Sequence, residues 1–201
     1  MALNRIVCIG DSLTYGYGAY TEDAWPFIAG RRLGIQCINR GVNGETTAEM
    51  SLRFYDDVIL NHPDAAVILG GSNDILMGAS AESAFENIEA MVLKAGKSGI
   101  CVMLGTPLEI DTSMVGQFWF CRKTPEQTQE NIKILADKIR DFCTEEQLIC
   151  IDFQKEYSQR MSERHMMRWY ADGVHPVREG YHVMADIFCD AFVKMTKGDQ
   201  R

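Results

Sequence analysis

Five short apolar runs, separated by segments of helical length, leave this chain few folds to choose from. The runs are Arg5 to Gly10, Ile35 to Asn39, Ala65 to Leu69, Gly99 to Gly105 and Leu148 to Asp152. Strands that alternate with helices predict a parallel sheet with both faces covered. Right-handed crossovers then limit the order of the strands. The simplest solution is an α/β fold: a three-layer α/β/α sandwich with a five-stranded parallel sheet in the flavodoxin-like order 2-1-3-4-5. At 201 residues the chain is expected to be one domain, residues 1–201. Ligands of such sheets bind outside the carboxyl ends of the strands, at the point where strand order reverses. Here that point lies between strands one and three, beside Gly10-Asp11-Ser12-Leu13.

The helical segments carry their own signals. One is expected from about Asp23 to Leu33, with Pro26 in its first turn and Gly34 as its terminal glycine. Met50, Phe54 and Val58 recur at helical spacing in a segment from about Thr47 to Leu60. Phe85, Ile88, Met91, Val92 and Ala95 do so between Ser80 and Ala95, where Gly96 is expected to stop the helix. Thr124-Pro125-Glu126-Gln127 is a strong helix start, and that helix should run to about Phe142. A short helix is expected from Met161 to Tyr170, and a last one from about Arg178 to Lys194. The stretch from Leu108 to Lys123 is less regular.

Charge and cysteine usage narrow the function. A net charge of −8, with basic residues scattered, argues against nucleic acid or an anionic membrane surface as partner. Seven cysteines without a C-x-x-C pair argue against zinc and redox roles. Cys8, Cys37, Cys101 and Cys150 fall in the apolar runs and read as small buried hydrophobes. No stretch of about 20 apolar residues occurs, and no signal-like segment precedes the first strand, which leads to an expectation of a cytoplasmic protein. Oligomeric state is not encoded in any recognisable pattern.

The strand ends collect the reactive residue types. The first offers Ser12, the loop after the second offers Gly44, the third offers Asn73, and the loop before the last helix offers Asp172 and His175. A serine hydroxyl needs a base to become a nucleophile. His175 can act as that base, and Asp172 can orient its other ring nitrogen. The backbone N–H groups of Ser12 and Gly44 and the side-chain amide of Asn73 can hold a developing oxyanion. His62 sits in a turn at the opposite sheet edge, His165 in a polar run and His182 on a helix, so each is a poorer base.

These residues lie in four blocks: Gly10-Asp11-Ser12-Leu13, Asn43-Gly44-Glu45-Thr46, Gly71-Ser72-Asn73-Asp74 and Asp172-Gly173-Val174-His175. In order and spacing they resemble the motif blocks of the SGNH hydrolases, also called GDSL-type esterases and lipases. The resemblance implies a serine esterase working without metal or cofactor. It also implies the roles: Ser12 as nucleophile, Gly44 and Asn73 as oxyanion donors, His175 as base and Asp172 as its orienting acid. The expected partner is a small ester, for example a short or medium acyl ester, an acetylated sugar, a thioester or a lysophospholipid. Met114, Phe118 and Trp119, with Phe120, are expected to line or cover an acyl or aryl pocket. Tyr15, Asp11 and Trp25 are further candidates near the nucleophile, although Asp11 and Asp74 read better as residues that bind nearby backbone. Two other readings are a non-hydrolytic flavodoxin-like binder of a small molecule or phosphate and a pseudoenzyme. The binder lacks G-x-x-x-x-G-K-[ST] and G-x-G-x-x-G and gives Asp172 and His175 no purpose, while the pseudoenzyme leaves a complete set of reactive residues idle.

Overall fold

The computed structural model describes residues 3–164 and 168–198. In chain order the elements are β1 (Arg5–Gly10), α1 (Ser12–Tyr15), α2 (Trp25–Leu33), β2 (Gln36–Gly41), α3 (Thr47–Asp57), β3 (Ala65–Leu69), α4 (Ser72–Leu76), α5 (Ala81–Lys97), β4 (Cys101–Gly105), α6 (Val115–Phe118), α7 (Pro125–Glu145), β5 (Ile149–Ile151), α8 (Phe153–Glu163) and α9 (Arg178–Gly198). All strand pairs are parallel and the order is β2-β1-β3-β4-β5. This is the fold expected from the alternation of apolar runs and helices.

Alternation along each strand divides the core in two. Val7, Ile9, Ala66, Ile68, Val102 and Leu104 point to the face covered by α3, α5 and α7. Ile6, Cys8, Val67, Leu69, Met103 and Ile151 point to the face covered by α2, α8 and α9. Both faces of β3 are fully buried, which is why Ala-Ala-Val-Ile-Leu reads as an unbroken apolar run. Capping boxes fix two helix starts: Thr46 with Glu49 ahead of α3, and Thr124 with Gln127 ahead of α7. A cap of this kind is worth about 1 kcal/mol.

Several boundaries differ from expectation, each for a local reason. Residues Thr21–Asp23 form a 3-10 turn rather than the start of α2. Helix α3 ends at Asp57, and a second 3-10 turn, Ile59–Asn61, leads to His62 at φ 46°. Gly96 does not stop α5; the helix runs through it to Lys97, and Gly99 at φ 69° turns the chain instead. Helix α4 has no counterpart in the sequence reading. Helix α8 begins directly after β5 because the Asp152 carboxylate accepts the Lys155 N–H. It starts well before the expected helix of Met161 to Tyr170 and shares only Met161 to Glu163 with it. Of that expectation, residues 165–167, including His165, lie outside the described residues, and Tyr170 pairs with Pro176 in an isolated bridge. Cys101 opens β4 at the exposed rim of the sheet and is not buried, whereas Cys8 is buried as expected. Trp25 is wholly buried against Phe153 and Phe188 on the α9 side, so it packs the core and does not face the nucleophile.

Candidate active site

The carboxyl ends of β1, β2 and β3 and the turn before α9 meet at one edge of the sheet. Strand β1 ends at Gly10, Asp11 caps α1, and Ser12 is the first residue of that one-turn helix. Its N–H is therefore one of the donors that a helix start leaves without an internal partner. The Asp11 carboxylate accepts the Leu13 N–H at 2.9 Å and is buried, so it shapes the turn that carries Ser12. Its second oxygen, Oδ2, has no hydrogen-bond partner among the described residues. Burial pushes this carboxyl up to about 7, aided by the charge of Asp74 and opposed by the Leu13 N–H.

His175 Nε2 lies 2.8 Å from Ser12 Oγ, and its Nδ1 lies 2.8 Å from Asp172 Oδ2. The other Asp172 oxygen accepts the N–H groups of Val174 and His175 at 3.0 and 2.8 Å. The turn thus folds around its own carboxylate. Burial pushes the Asp172 carboxyl up, but these bonds from His175 and Val174 outweigh it and hold the group below the usual range. Burial pulls the His175 imidazole below 6.5, against the pull of Asp172. A neutral ring with Asp172 accepting at Nδ1 leaves Nε2 as the acceptor facing Ser12.

Gly44 adopts φ 81°, and its N–H has no intramolecular acceptor among the described residues. Asn73, in the first turn of α4, donates from Nδ2 to the Glu45 carbonyl at 2.9 Å. That bond uses one amide proton and ties Asn73 to the Gly44 loop. Arg53 on α3 reinforces this corner. It donates to the Glu45 carboxylate at 2.6 Å, to the Asp57 carboxylate at 2.7 Å and to the Gly10 carbonyl at 3.1 Å. Asp74 accepts from the Thr47 N–H at 2.9 Å and its hydroxyl at 2.6 Å, pinning α4 to the start of α3. Sequence reasoning missed Arg53; its only sequence trace is an arginine one turn before Asp57, a common surface pattern.

Of the expected pocket residues, Trp119 reaches the site, with its ring centroid 5.2 Å from that of His175. The closest aromatic neighbour of the imidazole, at 4.3 Å, is Tyr17, which the sequence reading passed over in favour of Tyr15. Tyr15 ends α1 with its side chain exposed. Phe118 and Phe120 are exposed as well. Met114 faces a cavity of about 520 Å³ shared with Glu109, Asp111, Arg168, Trp169 and Tyr170. The irregular segment is nevertheless docked on the Asp172–His175 turn: the Asp111 N–H donates to the Gly173 carbonyl at 2.8 Å. His182 pairs with Asp23 and stands apart from Ser12. Among the described residues no group of three or more His, Cys, Asp or Glu is arranged to hold a metal ion, and no helix is long and apolar enough to cross a membrane.

The chain is similar to known proteins in sequence and in fold. An acetylxylan esterase from Geobacillus stearothermophilus is 22% identical over 92% of this chain and 91% of that protein. The structure of a GDSL-like lipase from Bacteroides thetaiotaomicron, 27% identical, superposes with a TM-score of 0.76 over 96% of this chain and 89% of that one. The lipase/acylhydrolase from Enterococcus faecalis, 25% identical, gives 0.77 over 94% of each chain. The model of the GDSL-like lipase/acylhydrolase family matches residues 8–183, a span that runs from β1 through the Asp172–His175 turn into α9. Sequence blocks, sheet order and family match agree, and this chain belongs to the GDSL-like lipase/acylhydrolase family.

Proposed function

We propose that the protein hydrolyses small carboxylic esters through an acyl-enzyme on Ser12. The observation that carries this reading is the unbroken relay of two 2.8 Å contacts from Ser12 Oγ through His175 to Asp172. Ser12 Oγ attacks the ester carbonyl while His175 Nε2 takes its proton. The oxyanion is received by the N–H groups of Ser12 and Gly44 and by the free amide proton of Asn73. Collapse breaks the bond to the alcohol oxygen, which receives the proton from Nε2. Water then repeats the sequence and releases the acid. Asp172 holds the imidazole in the required tautomer and stabilises its protonated form.

The substrates proposed are short and medium acyl esters and acetylated sugars. The acetylxylan esterase relative is consistent with the latter class. The odd count of seven cysteines fits a reducing, cytoplasmic setting, which cell fractionation tests. The decisive experiment is treatment with a fluorophosphonate probe followed by peptide mapping. Labelling at Ser12 that disappears in Ser12→Ala and His175→Ala is the expected result. Folded protein that takes up no label, or takes it up elsewhere, overturns the reading.

A further inference from the structure

The imidazole of His175 is buried, and part of its cover is aromatic and open to solvent on the outer side. Tyr17 lies over it at 4.3 Å with the rings inclined by 38°. Trp119 meets it at 5.2 Å and 62°. The two aromatic rings stand 6.2 Å apart at 70° to one another, forming a corner. Each keeps more than a third of its surface exposed, 39% for Tyr17 and 36% for Trp119, while Ser12 and His175 show only 5% and 4%. The corner is held rigidly. The Tyr17 carbonyl accepts from the Tyr181 hydroxyl at 2.9 Å, and the Tyr17 N–H donates to the Ser12 carbonyl at 3.1 Å. The Trp119 N–H closes α6 on the Val115 carbonyl at 2.8 Å.

Position relative to the chemistry decides what such a corner touches. With the acyl carbon on Ser12 Oγ and its oxygen turned to Gly44 and Asn73, the leaving oxygen must lie within reach of His175 Nε2 to be protonated. The groups that flank the imidazole therefore border the alcohol half of the ester, not the acyl half. We infer that Tyr17 and Trp119 form the alcohol-side wall of the site and select esters whose alcohol carries a flat ring. This rests on the Ser12–His175 reading above. A ring with a flat apolar face, aryl or pyranosyl, stacks in an aromatic corner without freezing internal rotations, whereas a linear alkyl chain loses several.

The test compares esters that share one acyl group. Benzyl acetate, a monoacetylated methyl xyloside and n-hexyl acetate all pass through the same acetyl-enzyme, so alcohol selection appears in kcat/KM and leaves deacylation unchanged. The expected result is a preference for at least one ring-bearing ester over n-hexyl acetate of about three- to tenfold. The two ring esters distinguish aryl from glycosyl alcohols. The preference should fall towards unity in Trp119→Ala and in Tyr17→Leu and return in Trp119→Phe. Absence of ring preference in the parent protein overturns the inference. So does a preference that survives both variants, or variants that change the acetyl-to-octanoyl ratio of a common alcohol instead. Binding of benzyl alcohol against n-hexanol to the Ser12→Ala protein reads the wall without the chemistry. Failure of the nucleophile assignment, seen with the fluorophosphonate, is thus separable from failure of the wall.

Discussion

At the residue scale, the proposed role of His175 as base predicts an acid limb of activity set by the surroundings of the ring. Burial holds the ring below 6.5, so it is neutral and able to accept a proton at pH 7. The kcat/KM profile of the free enzyme should rise with pH through a value below 6.5. A limb at or above that value contradicts the burial argument. Asp172→Asn removes the group that raises the ring's affinity for protons and that selects its tautomer. The limb should move lower still, and turnover should fall by about 10⁴-fold. Asn73→Ala removes one oxyanion donor and frees the Glu45 carbonyl. A loss of roughly 100- to 1,000-fold in kcat, with KM little changed, is expected from steady-state kinetics.

At the scale of elements, the catalytic turn and the irregular segment behave as one unit. Gly173 adopts φ 90°, and a Cβ there would come within 2.5 Å of the Val115 nitrogen at the start of α6. Gly173→Ala meets both a strained backbone and a backbone clash. It should cost at least about 2 kcal/mol, visible as a melting point lower by roughly 4–8 °C. Activity should fall with it, because α6 carries Trp119 against His175. A variant with unaltered melting and kinetics would show that the two segments are not packed as described. The strands and the first three motif blocks were legible because a parallel sheet puts every carboxyl end on one edge and each of these blocks comes after an apolar run, while the fourth, Asp172 to His175, was legible as the loop before the last helix. Helix α4 was not legible, since Gly-Gly-Ser-Asn-Asp reads as a turn and the helix takes its place from tertiary contacts: the bonds of Asp74 to Thr47 and of Asn73 to Glu45, and the burial of Ile75 and Leu76. Tyr17 was missed for a related reason. Its contact with His175 joins the two ends of the chain, and a Gly-Tyr-Gly loop carries no local sign of it.

At the scale of the whole molecule, stability responds to pH through groups that pull in opposite directions. Asp172 and Asp152 are held below 3.8 by their hydrogen bonds and ion pairs, so their contribution is lost as pH falls below that value. His175, held below 6.5, likewise costs stability as pH falls from 6.5 towards its folded value. Asp11 runs the other way. Its carboxyl titrates near 3.8 when the chain is unfolded and at about 7 when buried in the fold. Between these values the folded protein keeps a proton that the unfolded chain has released. The Asp11 contribution is therefore fully present below about pH 4, declines as pH rises, and is gone above about pH 7. Asp11→Asn removes this one dependence, because Asn still caps α1 but does not ionise. Urea unfolding of both proteins across this range isolates the effect of Asp11 and its coupling to Asp74 and Glu45, since groups that do not interact with Asp11 cancel in the difference. The stability of the variant relative to the parent should climb from pH 4 to pH 7 and then level off. A difference that stays flat would mean that Asp11 titrates as an ordinary surface carboxylate, which its buried, unpartnered Oδ2 beside Ser12 argues against.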